Sequence, residues 1–80
     1  MTLHQTISAA ITESGTPITH VAIAAGVTRK TIYAWTSGDS VPGYTALQRL
    51  CEALSVDPAP FFRLAHAEVQ KRAIAAWEAS

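Results

Sequence analysis

The side chains best suited to chemistry form a short run of hydrogen-bond donors in the middle of the chain. Arg29 and Lys30 are adjacent cations, Thr28 and Thr31 flank them, and Tyr33 follows. Such side chains donate hydrogen bonds to anions and to acceptor-rich surfaces, but they include no nucleophile paired with a base. The run therefore indicates recognition of a partner rather than catalysis.

The remaining reactive residue types do not form a catalytic or metal site. His4, His20 and His66 share neither a helical face nor a metal-ligand spacing, which favours surface or half-buried positions. Cys51 is the one cysteine and lies on an apolar stripe far from any histidine, so we expect a buried, unreactive thiol. With no paired carboxylates either, the sequence predicts no enzyme, no metal and no cofactor.

Composition is that of one small folded domain. The chain has 80 residues, of which 49% are hydrophobic and 15% charged, which is too apolar for disorder. No apolar run is long enough to span a membrane, and the first residues do not resemble an export signal, so we expect a cytoplasmic protein without a membrane partner. The net charge is zero, but residues 17–49 carry three basic residues against one acidic residue. Positive charge therefore collects around the central run.

The elements that position this run are helices, because apolar residues recur at helical spacing and strand-like alternation is absent. We expect the second helix to begin with Thr16 as N-cap and Pro17 as its first residue, and Thr28 to cap the third. Asp57 should cap the fifth. The predicted helices cover about residues 2–14, 17–25, 29–36 and 44–54, a short segment through Phe61 and Phe62, and an alanine-rich segment from about 64 to 78.

The second and third predicted helices form a helix-turn-helix unit between Ile18 and Ser37. Close helix crossing requires a small residue, which Ala22 supplies, and the turn requires a residue that tolerates positive φ, which Gly26 supplies. The apolar positions that face inward are Val21, Ala25, Val27, Ile32 and Trp35. All these requirements are met at the correct spacing within one segment, which makes the signal specific.

The segment from Val21 to Trp35 resembles the helix-turn-helix of Cro and phage-repressor proteins, the XRE-like family. The residues downstream that also match the family pattern are Gly38, Pro42, Leu47, Leu50, Ala53, Leu54, Val56 and Pro58. The resemblance extends over about residues 3–62. It implies an all-α, compact five-helix domain, similar to that of lambda repressor, which binds operator DNA and is commonly dimeric.

Within this resemblance, the helix at 29–36 is expected to enter the major groove of double-stranded DNA. Arg29 is the leading candidate for reading a base, on a guanine edge, and Lys30 is expected to contact a base or a phosphate. Tyr33 and Ala34 could touch a thymine methyl group or a sugar, although Tyr33 is equally compatible with partial packing. The candidates for phosphate contacts are Thr28, Thr31, Ser37, Thr19, His20, Ser40 and Tyr44.

Residues 64–80 are expected to form an additional C-terminal helix beyond a DNA-binding domain at 1–63. Its apolar residues fall into two stripes, whereas a helix that only closes a core usually shows one. We expect homodimerisation through this segment, with interface residues Leu64, Val69, Ala73, Ile74 and Trp77. The alternatives are that the segment merely caps the core or, as in an antitoxin-like module, binds a different protein.

The leading functional hypothesis is a sequence-specific transcription regulator, either a phage- or mobile-element-type repressor or a Cro-like protein. The second is a protein-interaction module that uses the C-terminal helix.

Overall fold

The computed structural model describes residues 1–79, which form five α-helices. The helices are α1 (Leu3–Ser14), α2 (Ile18–Ala25), α3 (Arg29–Ser37), α4 (Tyr44–Leu54) and α5 (Ala59–Ala79). The described residues contain no strand, so the predicted all-α fold class is confirmed. None of these helices combines the length and the apolar character needed to cross a membrane.

The core is a single apolar cluster to which every helix contributes. α2 packs on α3 and α4, while α1 packs on α3 and α5. Ile7, Ile32, Leu47 and Leu50 are completely buried at its centre, and each such side chain stabilises the fold by about 1.5–3 kcal/mol. The buried residues of this cluster are Leu3, Ile7, Ile11, Val21, Ala22, Ala25, Ile32, Trp35, Leu47, Leu50, Cys51, Leu54 and Phe61.

Side-chain caps begin α1 and α3, whereas the start of α2 differs from the sequence prediction. Thr2 and Gln5 form a reciprocal capping box at α1. At α2, however, the N-cap is Pro17 rather than Thr16, because Pro17 itself has an extended ψ of 143°. The amide of Thr16 instead donates to the Ser14 hydroxyl, 3.1 Å away. The predicted Thr16 cap is therefore wrong by one residue.

The fifth helix and the C-terminal segment, expected as separate elements, are one continuous helix of 21 residues. Pro60 lies in its first turn, where the missing amide disrupts no intrahelical bond. The Oδ1 of Asp57 accepts from the Ala59 amide at 3.1 Å, but the helix begins at Ala59 and the Pro58 carbonyl accepts its first backbone bond, so the predicted N-cap is early by one residue. The expected boundary between residues 63 and 64 is thus internal to α5, and Ser80, the last residue of the predicted segment, lies outside the described residues.

α5 is anchored at one end and exposed at the other. Phe61 is buried, and Phe62, Leu64 and Ala65 pack partly against the core. In contrast, every residue from 69 to 79 is exposed. A helix of 21 residues is about 31 Å long, and its C-terminal half contributes to the 41 Å long axis of the molecule.

The C-terminal ends of α1 to α4 all adopt the left-handed backbone conformation, and two of them differ in residue type. Gly26 closes α2 with φ 74°, and Ser55 closes α4 with φ 56°. At each end the next residue donates its amide back into the helix, as in a Schellman motif: Val27 to Ala22 and Val56 to Cys51, both at 3.0 Å. Glycine adopts this conformation without strain, whereas the Cβ of serine makes it unfavourable.

Exchanging the residue types at these two ends should therefore shift stability in opposite directions. We expect Ser55→Gly to raise the free energy of unfolding by about 0.5 kcal/mol. Glycine relieves the backbone strain in the folded state, but its greater conformational entropy in the unfolded chain offsets part of that gain. Gly26→Ala should lower it by about 1 kcal/mol or more, since a Cβ there would also lie 3.3 Å from Arg49 Nη1. Urea unfolding followed by circular dichroism measures both. A loss of stability in Ser55→Gly would contradict the strain at this position.

Candidate nucleic-acid interface

The turn between α2 and α3 is built from backbone hydrogen bonds at its start and a side-chain cap at its end. Gly26 donates its amide to the carbonyls of Ala22 and Ile23, which ends α2. Thr28 then accepts from the amide of Thr31 at 3.2 Å and begins α3, as predicted. The two helices are consequently joined by a short turn, so the face of α3 is set by α2 and the core.

The inner face of the helix-turn-helix agrees with the sequence prediction. Val21, Ala22 and Ala25 are buried on α2, and Ile32 and Trp35 are buried on α3. Val27, in the turn, is half-buried and packs against the core. Only Ile32 and Trp35 of the nine residues in α3 are buried, which leaves the rest of this helix open to a ligand.

The outer face of α3 carries the predicted DNA-reading side chains. With 3.6 residues per turn, Lys30 and Ser37 lie roughly opposite the buried pair Ile32 and Trp35, with Tyr33 beside them. Tyr33 has 57% of its surface exposed, so the structure favours an available side chain over a packed one. Ala34 is half-buried on the same side of the helix. A surface of this shape could enter a DNA groove without unfolding any part of the core.

Arg29 extends from the first turn of α3, at the flank of this outer face. Arg29 and Lys30 are both exposed, and neither forms a salt bridge with any residue between Met1 and Ala79. Their positive charges are therefore available to an external partner. Cations and hydrogen-bond donors at the N-terminal end of a recognition helix are the groups that reach base edges.

The small hydroxyl residues of α3 are partly occupied within the protein. The hydroxyls of Thr28 and Thr31 lie 3.0 Å apart and share one hydrogen bond, which leaves one proton free to donate outward. Ser37 donates its hydroxyl to the carbonyl of Ala34 at 3.2 Å. Thr28 and Thr31 are therefore better placed than Ser37 to donate to a phosphate.

The residues outside α3 that were predicted to contact the DNA backbone lie in two different environments. Thr19 and His20 are exposed near the start of α2, and Ser40 is exposed in the loop after α3. Tyr44 is also exposed, but its ring stacks on Phe62 of α5 with centroids 4.6 Å apart and planes 14° apart. The structure therefore places one face of the Tyr44 ring against the C-terminal helix and leaves 69% of the residue exposed.

Arg49 is a basic residue near the interface that the sequence prediction did not single out. It lies on α4, and its guanidinium Nη1 comes within 3.3 Å of the position that a Cβ of residue 26 would occupy. A third cation therefore stands beside the turn of the helix-turn-helix. Arg49 reaches the turn because α4 packs on α2. A local sequence pattern does not show this packing.

Cys51 is completely buried in α4, as predicted for a core residue. Desolvation by burial, with a smaller contribution from the negative charge of Asp57, raises the pKa of its thiol from 9.0 to about 11. Since the thiolate is the nucleophilic form, the folded protein keeps this side chain unreactive near neutral pH. Among residues 1–79, no group of three or more histidine, cysteine, aspartate or glutamate residues is placed to hold a metal ion.

Comparison with known proteins agrees with this geometry. A helix-turn-helix family model matches residues 7–61, which is more than half of the chain. The chain belongs to the XRE-type helix-turn-helix family. It is therefore a DNA-binding regulator of the XRE type, a family that typically has no enzymatic activity. No curated protein matches the chain significantly.

The family match covers the whole helix-turn-helix of this XRE-type regulator and ends at Phe61, within the first turn of α5. The remainder of α5 lies outside the matched region. Membership of the family therefore assigns no role to its exposed C-terminal half.

The buried thiol of Cys51 makes a testable contribution to stability. Below pH 9 the thiol is protonated in both states, whereas between pH 9 and about 11 it ionises in the unfolded chain but not in the fold. We therefore expect the free energy of unfolding to fall over this range as the pH rises, and to fall less in Cys51→Ala. Denaturant titrations at several pH values measure the difference. Equal slopes in the two proteins would contradict the burial effect.

Proposed function

We propose that this regulator is a repressor or a Cro-like protein of the phage or mobile-element type, which binds a near-palindromic operator as a homodimer. The observation that carries the proposal is the outer face of α3, where Lys30 and Tyr33 are exposed opposite the buried Ile32 and Trp35. Repression would follow from occupying a promoter, since the exposed face of α3 can lie in the major groove without disturbing the core.

Base recognition in this proposal rests on Arg29 and Lys30. A guanidinium can form two hydrogen bonds with the O6 and N7 of guanine, and a good bidentate contact is worth about 1–3 kcal/mol of discrimination. Tyr33 and Ala34 supply apolar surface for a thymine methyl group. Thr28 and Thr31 at the helix start, with Thr19, His20, Ser40 and the edge of Tyr44, are the candidates for phosphate contacts, which set position rather than sequence.

The low charge of the protein is an argument for binding as a dimer. Net charge is zero, and Arg29, Lys30 and Arg49, which form no salt bridge among residues 1–79, provide few phosphate contacts per subunit. Affinity from so few phosphate contacts is modest, and its dependence on salt concentration is correspondingly weak. Joining two subunits makes the second contact intramolecular and multiplies the affinity without adding new groups.

The C-terminal half of α5 is the surface that we assign to dimerisation. Val69, Ala73 and Trp77 recur at a spacing of four residues, and Val69 and Trp77 are 54% and 77% exposed. Charged residues are absent from this stripe, and it continues into an open apolar groove of about 280 Å³ between α4 and α5. The groove is lined by Pro42, Gly43, Tyr44, Leu47, Phe62, Ala65, His66 and Val69.

Antiparallel pairing of two such helices is self-complementary. The groove near Ala65 and the exposed Trp77 lie on one helix, about 18 Å apart. A two-fold axis near the middle of that interval would place each Trp77 over the groove of the other subunit, as an isologous interface requires. Of the other predicted interface residues, Leu64 packs partly on its own core, and Ile74 lies on a different side of α5, at the margin of the contact.

The second candidate function is a protein-interaction module, in which a different protein covers α5. The exposure of Ile74 and Trp77 on a helix end that lies outside the family match favours it. In that case the chain would be monomeric or aggregated when purified alone. The first proposal is preferred because α5 carries both the apolar stripe and one wall of the groove. In a two-fold pairing, the stripe of each subunit would cover the groove of the other.

Selection from a randomised duplex pool tests the DNA-binding proposal. We expect the wild-type protein to enrich a near-palindromic site, and Arg29→Ala to lose preference at one base position in each half-site with about tenfold weaker binding per half-site. Arg63→Ala removes the same charge from an exposed position on α5 and serves as the matched control. Uniform weakening by Arg29→Ala, with base preference intact, would assign Arg29 to a phosphate. Failure of the wild type to enrich any sequence at low salt would overturn the proposal.

Sedimentation at tens of micromolar tests the dimer. We expect the wild-type protein to be dimeric, whereas Trp77→Ala and Val69→Lys should shift it to monomer because they remove or charge the apolar stripe. Ile23→Ala, which alters a side chain that is 73% exposed on α2, should leave the dimer unchanged. A wild-type monomer at these concentrations, or dissociation in all three variants alike, would contradict the assigned surface. Circular dichroism establishes that each variant is folded.

A further inference from the structure

A hydrogen bond joins the middle of α5 to the end of α3. The guanidinium Nη2 of Arg72 donates to the backbone carbonyl of Gly38 over 2.6 Å, although the residues are 34 positions apart in sequence. Gly38 is the C-cap of α3, the helix that carries Arg29 and Lys30. The last carbonyls of a helix have no intrahelical partner, and they carry the negative end of its dipole. A cation at this point therefore stabilises the end of α3 both by hydrogen bonding and by charge.

Arg72 is itself held in a fixed direction. Its Nε donates to Glu68 Oε1 at 3.0 Å, one turn earlier on α5. The two contacts use different nitrogens of one planar group, so the guanidinium cannot rotate without losing one of them. The Glu68 side chain is the less exposed partner, at 26% against 45% for Arg72. One guanidinium thus joins Glu68 of α5 to the Gly38 carbonyl at the end of α3.

The other side of Gly38 is closed by α1. A Cβ on residue 38 would lie 3.0 Å from Nδ1 of His4, so the ring of His4 packs directly on this glycine. A small crevice at this point is lined by residues of α1, α3, the following loop and α5. These residues are Leu3, His4, Trp35, Gly38, Ser40, Val41, Glu68 and Arg72. Three helices therefore meet at the C-terminal end of α3.

We propose that Arg72 is a positioning residue for DNA recognition, which transmits the placement of α5 to α3 through the Gly38 carbonyl. The proposal rests on the function assigned above, because α5 carries the dimer surface on its exposed side and this link on its inner side. α5 is one continuous helix, so pairing through Val69 and Trp77 and anchoring through Arg72 involve the same rigid element. Two recognition helices that must lie about one DNA turn apart benefit from such a link, since a small tilt of α3 displaces its base contacts.

Arg72→Ala tests the proposal, with Lys71→Ala as the matched control. Lys71 is an exposed neighbouring cation on α5 that makes no hydrogen bond with the described residues, so both variants lose one charge. We expect Arg72→Ala to bind the selected operator about tenfold more weakly and to show reduced base selectivity, because a tilt of α3 would weaken one base contact. The sedimentation behaviour should match the wild type. Arg72→Lys keeps the charge but not the planar fork, and should restore only part of the affinity.

Hydrogen exchange at the end of α3 gives a readout that needs no DNA. The amide of Ser40 donates to the carbonyl of Ala34 at 3.3 Å and should exchange faster in Arg72→Ala than in the wild type or in Lys71→Ala. If the wild type selects no DNA sequence, the function proposed above fails, and this exchange difference alone decides whether Arg72 positions α3. Unchanged exchange, or a loss of affinity that dimer dissociation fully accounts for, would overturn the inference.

Discussion

The insertion of Ile32 and Trp35 into the core is the interaction on which the rest of the structure depends. An isolated helix of nine residues is not stable in water, so α3 exists because these two side chains are buried against α1 and α2. Their burial also fixes the rotation of α3 about its own axis. Every side chain on the opposite face, Lys30 and Tyr33 among them, is consequently exposed in one defined orientation without a dedicated binding loop.

A second constraint is the small number of charges. An XRE-type regulator with zero net charge has little general attraction to DNA, so its binding depends on where the few cations are placed. Arg29 and Lys30 begin the recognition helix, and Arg49 lies beside the turn that precedes it. In the proposed mode of binding, the cations lie where α3 would meet DNA, and a second subunit would multiply the modest affinity that so few contacts provide.

α5 takes part both in the packing of the core and in the proposed binding as a dimer. Its first turns complete the core through Phe61, its middle reaches the C-cap of α3 through Arg72, and its C-terminal half presents the exposed stripe that includes Trp77. In the proposed dimer, one helix therefore closes the fold, orients the reading helix and joins the subunits. The link through Gly38 is a single exposed hydrogen bond with one supporting ion pair, so it adds little to overall stability, and its importance lies in geometry.

The sequence by itself determined the features that arise from neighbouring residues. The cap at Thr28, the stop at Gly26 and the spacing of Ile32 and Trp35 act within a few residues, so their patterns predicted α3, the turn before it and the outward direction of Lys30. Only the tertiary structure decided what joins distant segments. The stacking of Tyr44 on Phe62, the approach of Arg49 to Gly26 and the bond from Arg72 to the Gly38 carbonyl depend on how the helices cross. Even the continuity of α5 through residues 63 and 64, where two elements were expected, became visible only in the fold. Local periodicity records which face of a helix is apolar, but it does not record which residue of another helix that face will meet.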